Sequence, residues 1–196
     1  RTSLAAAAAL VLAVLAAGCT ATPPASLNVT AGDGTAVVDF ESHHVFTYQI
    51  EVMPGGRIVD VPTSPAVVTG LTNGTAYTFA VRAISAAGVK GDWSAHSAPV
   101  TPKGRPSAPT ITSVAGFVSL DGCTARVAVT PASNGGSPIL RYEVTSSANP
   151  SHPVTGTSSP IEVPGLLQHT PYTFTVTAVN ALGASPASAP FTGTCS

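Results

Sequence analysis

Apolar and hydroxyl side chains alternate along Tyr172-Thr-Phe174-Thr-Val176-Thr-Ala178, rings and aliphatics on one parity and threonines on the other. A period of two sends each parity to one face of an extended chain, so the segment predicts a strand with an apolar inner face and a hydroxyl outer face. Tyr77, Phe79, Val81 and Ala83 repeat the pattern against Thr78, Ala80 and Arg82. Shorter alternations occur at Ala36, Val38 and Phe40, at Val127 and Val129, along Tyr48-Gln-Ile50-Glu-Val52, and along Leu140-Arg-Tyr142-Glu-Val144. Gly and Pro, 18 of each, punctuate the chain every few residues and favour many short strands and turns over helices. The fold class expected is therefore all-β.

The pattern is duplicated. Ser64-Pro65 through Gly70-Leu71 to Tyr77 and Ala83 returns 95 positions later as Ser159-Pro160 through Gly165-Leu166 to Tyr172 and Ala178. A repeat of that length is one small all-β domain rather than a solenoid unit. Aligning Tyr48 with Leu140 gives a spacing of only 92, which places three extra residues in the second copy's middle hairpin, around Ala148 to His152. The domains expected are residues 26–102 and 108–196, joined by a linker at 103–107 within the proline-rich run Thr101 to Pro109.

Ahead of them, Leu4 to Ala17 is an unbroken apolar run of 14 residues preceded by Arg1. A spanning helix needs about 20 apolar residues, so this run reads as a secretory signal peptide over residues 1–18. Leu15-Ala16-Ala17-Gly18-Cys19 resembles the bacterial lipobox, although Ala16 stands where Leu is usual. The resemblance implies a lipid on Cys19, a short tether at residues 19–25, and anchorage to the outer face of the bacterial cell membrane. The alternative is ordinary secretion after cleavage at a small residue. Each buried CH₂ of an acyl chain contributes about 0.8 kcal/mol, so more than one chain on Cys19 would hold firmly.

Both halves resemble fibronectin type III domains of secreted bacterial proteins. The residues that carry the likeness are Gly70-Leu71 with Tyr77 and Gly165-Leu166 with Tyr172, supported by Asn134 to Ile139, Asn180 to Gly183 and Ser85 to Gly88. The resemblance implies two tandem immunoglobulin-like sandwiches, with Tyr77 and Tyr172 returning their hydroxyls to backbone at the E–F corner. Phe79 and Phe174 stand where antibody domains place a bridging Cys, and the family's strand-B Trp is replaced by Phe40 and Val129. In such a sandwich the start of strand B and the end of strand G share a pole, which implies a Cys123–Cys195 disulfide in an exported protein. Lys90-Gly91-Asp92-Trp93 falls in the implied F–G loop and is similar to an Arg-Gly-Asp integrin ligand. A Gly-x-Trp-Ser run before strand G is also ordinary there, with Trp93 covering the end of the sandwich and Asp92 marking a turn.

Charge and chemistry narrow the function. Lys+Arg 8 and Asp+Glu 9 give a net charge of −1 with no basic cluster, which argues against nucleic-acid binding. His43-His44 are neighbours on an extended segment and point to opposite faces, so they make no metal pair; His96, His152 and His169 stand alone. Glu41, Glu51, Asp60, Glu143 and Glu162 are scattered over different strands, and no phosphate loop is present. Asn28-Val-Thr30 and Asn73-Gly-Thr75 match a glycosylation sequon but suit a strand and an Asn-Gly turn. No catalytic residue, metal, cofactor or small-molecule substrate is expected. The expected function is a non-enzymatic surface lipoprotein whose modules act as spacer or protein-interaction domains. The alternative is an accessory module that associates with cell-wall polysaccharide beside a carbohydrate-active enzyme.

Overall fold

The structure is a computed structural model that describes residues 22–42, 47–119, 122–131 and 133–195. The expected signal peptide, Cys19 and His43-His44 lie outside the described residues. The chain divides into two compact units between Pro102 and Lys103, and every described element is a strand.

In the first unit β1 (Leu27–Ala31), β2 (Thr35–Phe40) and β5 (Ala66–Thr69) form one antiparallel sheet in the order β1-β2-β5. The facing sheet, in the order β4-β3-β6, takes β3 (Thr47–Met53), β4 (Arg57–Val61) and β6 (Thr78–Ile84). Alternation puts Ala36, Val38 and Val68 of one sheet against Ile50, Val52, Phe79 and Val81 of the other, all buried in one core. Phe40, which stands at the family's Trp position, packs its ring 4.8 Å from that of Tyr48.

The second unit repeats the plan with β11-β8-β7 in one sheet: β7 (Thr110–Ser119), β8 (Gly122–Thr130) and β11 (Ile161–Leu166). The other sheet holds β9 (Ile139–Ser146), β10 (Asn149–Gly156), β12 (Pro171–Asn180), β13 (Gly183–Ala184) and β14 (Phe191–Thr194). Phe174, Val176, Val144 and Val127 centre its core. The Ser-Pro element of the repeat does the same work twice: Ser64 Oγ accepts the Phe40 N–H and Ser159 Oγ accepts the Val129 N–H, each across to the second strand of its unit.

Pairing corrects the register of the repeat. Tyr48, Ile50 and Val52 face Ala83, Val81 and Phe79, while Tyr142, Val144 and Ser146 face Ala178, Val176 and Phe174. Tyr48 therefore matches Tyr142 rather than Leu140, at a spacing of 94. Val59 opposite Ile50 matches Val154 opposite Val144, so one extra residue, not three, enters the second hairpin, where the ladder is irregular between Asn149 and Val154.

Among the described residues neither unit closes its second sheet with one continuous last strand. In the first, isolated pairs at Ile84–Lys90 and Tyr77–Val100 bracket a stretch bonded through serine side chains. Val81 and Phe79 donate their N–H to Ser94 Oγ and Ser97 Oγ, and the serines' own N–H groups donate back to the Val81 and Phe79 carbonyls. In the second, Ala178 and Val176 treat Ser185 and Ser188 identically, between β13 and β14. The three-residue spacing of each serine pair matches the turn of an extended polyproline helix, which keeps both hydroxyls on one side.

Residues 103–107 do not hang free. Gly104 and Ser107 donate to the Gly135 and Ser133 carbonyls, and Asn180 Nδ2 donates to the Gly104 carbonyl, all within the second unit. A Cβ on Gly135, whose φ is 67°, would collide with the Gly104 and Arg105 carbonyl oxygens, so glycine is required where this segment lies down.

Candidate functional site

One tyrosine corner holds each sandwich shut. Tyr77 Oη accepts the Thr72 N–H at 3.0 Å and Tyr172 Oη accepts the Leu167 N–H at 3.0 Å, one residue past Leu71 and Leu166. These are the E–F corners that the paired Leu and Tyr imply. The Thr72 N–H holds the Tyr77 phenol below the usual tyrosine range, because it stabilises the ionised oxygen; burial opposes the shift.

Cys123 and Cys195 form a disulfide with Cα atoms 6.1 Å apart, closing a sequence separation of 72. Both are fully buried at the pole where β8 begins and β14 ends. The first unit shows what the bridge replaces. Leu71 donates to the Gly34 carbonyl as β11's Leu166 lies beside Cys123, and Gly74 donates to the Pro102 carbonyl as His169 donates to that of Cys195. Gly34 and a buried Pro102 thus occupy the two cysteine places.

Lys90, Gly91, Asp92 and Trp93 do not form the tip of the F–G loop. The tip is Ser85 to Val89, closed by Ser85 N–H to Val89 and Gly88 N–H to Ser85 bonds. Lys90 already pairs with Ile84 and Gly91 donates to the Ala83 carbonyl, so Lys90 and Asp92 are exposed along a sheet edge. Trp93 lies on the face of the sheet rather than over its end. The Arg82 guanidinium sits 4.3 Å from the indole centre, its Nε and Nη2 donate to Gln49 Oε1 at 2.8 and 2.6 Å, and Gln49 Nε2 donates to Asp60 Oδ1 at 2.7 Å. This row of four side chains crosses the whole sheet and explains why Gln49 is buried on an otherwise solvent-facing side. Nothing in residue spacing announces it, because its members come from four separate segments.

The remaining polar residues meet in separate pairs and form no cluster among the described residues. Glu51 lies 3.5 Å from His96, Glu143 pairs with Arg141, and Glu162 pairs with Arg126, which stacks on Phe117. His152 contacts Asn149, and His169 adopts φ 55° in the turn where the first unit has Gly74. Asn73 caps the Gly34 N–H and reaches Asp33, the turn role expected of it. Among the described residues no group of three or more His, Cys, Asp or Glu is placed to hold a metal ion. The second unit carries a hydroxyl face: Thr173 and Thr175 project outward beside Thr192 and Thr145 of the neighbouring strands.

The fibronectin type III domain family matches residues 22–100 and 107–194. Among solved structures the chain is similar to the chicken CNTN1 FN1-FN3 domains, at 19% identity and a TM-score of 0.53. The alignment covers 87% of this chain and 65% of that one. No curated protein matches the chain.

Proposed function

The chain belongs to the fibronectin type III family, and from that premise we propose that it is a non-enzymatic cell-surface lipoprotein, anchored through Cys19, whose two modules serve as spacer or protein-interaction domains. The observation that carries this reading is the completeness of both units. Each closes its own core, its own tyrosine corner and its own serine-bonded edge, so each is a module able to stand beside another. Such sandwiches offer loops and strand edges for contact. The lipobox-like run at residues 15–19 supports export and acylation.

Cross-linking on intact cells followed by mass spectrometry tests the interaction role. A reproducible protein partner supports an interaction module, whereas recovery of none favours a passive spacer. The threonine face of the second unit favours one further reading, association with cell-wall polysaccharide, because an array of uncharged hydroxyls suits a sugar surface. Retention of the protein on insoluble cell wall, lost when Thr173 and Thr175 are changed to Val, would support it.

A further inference from the structure

We infer that the first unit stands with its F–G turn against the bilayer, Val89 and Lys90 meeting the lipid headgroups. This rests on the proposed anchor at Cys19. Strand registers fix which loops share a pole. Leu27 pairs with Phe40, Thr47 with Ile84, and Tyr48 with Val61, so the entering chain, the end of β2, the segment after Val61 and the F–G turn lie together. The hairpin at Met53 to Gly56 and the E–F corner lie at the other end, a seven-residue β3 away, or about 20 Å.

The entering chain is held against this pole. Thr22 to Ala25 line a groove there with Glu41 and Tyr48. Between Cys19 and Thr22 only three residue steps remain, about 10 Å at full extension. A lipid on Cys19 therefore brings this pole, and not the opposite one, to the headgroup layer. The surface presented there has the matching chemistry: Ala86, Ala87, Gly88 and Val89 are exposed, Val89 at 64%, and the Lys90 ammonium follows directly. An apolar tip with an adjacent cation suits the interface of an anionic bilayer. It follows that Lys90-Gly91-Asp92 faces the cell's own membrane rather than a distant receptor.

The test uses the full acylated protein in vesicles containing phosphatidylglycerol, with a fluorophore placed at Val89→Cys or at Met53→Cys and a nitroxide quencher on the headgroups. Cys19→Ala and vesicle flotation score the anchor separately. Quenching several-fold stronger at position 89 than at 53, reduced by Lys90→Glu, is expected. Flotation with equal quenching at both positions, or stronger quenching at 53, overturns the orientation alone. Failure of the wild type to float, or flotation undiminished by Cys19→Ala, overturns the anchor and the orientation with it.

Discussion

Tyr172 fixes a corner with one hydroxyl. Its oxygen takes the Leu167 N–H, which the E–F turn leaves without a strand partner, and the ring fills the core beneath it. Removing the oxygen alone leaves that partly buried donor unpaired, so Tyr172→Phe should destabilise the second unit by about 1–3 kcal/mol, and Tyr77→Phe, whose bond is exposed, should cost the first about 0.5–1.5 kcal/mol. Urea denaturation followed for each unit expressed with the other intact checks the value; a loss below a few tenths would deny the corner its role. The Leu and Tyr pairs are legible from sequence because the whole device spans a few consecutive residues. The row Trp93, Arg82, Gln49 and Asp60 was illegible for the opposite reason: its members meet only once β3, β4 and β6 are paired.

At the level of the strand, hydroxyls replace a ladder. Ser185 and Ser188 accept the Ala178 and Val176 N–H groups and donate to the carbonyls of Pro186 and Ala189, so this edge is saturated without offering a regular strand to another chain. Ser188→Ala strips a buried N–H of its acceptor and should cost about 1–3 kcal/mol, with hydrogen exchange at Val176 rising in step. Unchanged exchange there would mean that the backbone relaxes to bond otherwise. Serine near glycine and proline reads as turn composition, so the sequence pattern gives no sign that these hydroxyls bond a neighbouring strand. The misplaced register of β9 has an equally physical origin. Sliding a strand by two residues returns every side chain to the same face, so Leu140, Tyr142 and Val144 alternate correctly in either alignment. Only the pairing of Tyr142 with Ala178 chooses between them.

Across the molecule the two units share a plan and differ in their closure. The Cys123–Cys195 bridge constrains a long loop of the unfolded second unit and is worth up to about 4 kcal/mol in the chain-entropy view. Replacing both cysteines by Ala should lower the second unit's stability by about 2–4 kcal/mol and leave the first untouched, so calorimetry should show one transition moving down while the other keeps its temperature. A common shift of both would show that the units do not unfold independently. Gly34, with φ 60°, stands at the equivalent of Cys123, so the first unit relies on packing of Pro102 where the second uses a covalent tie. The amino-acid order by itself determined the duplication, the all-β class, the tyrosine corners and the cysteine pair, because each follows from parity, short motifs or the poles of a known sandwich. Only the tertiary structure decided the register of β9, the serine-bonded edges, the seating of residues 103–107 and the place of Trp93. Those depend on which segments meet across the sheets, and side-chain alternation is silent about partners.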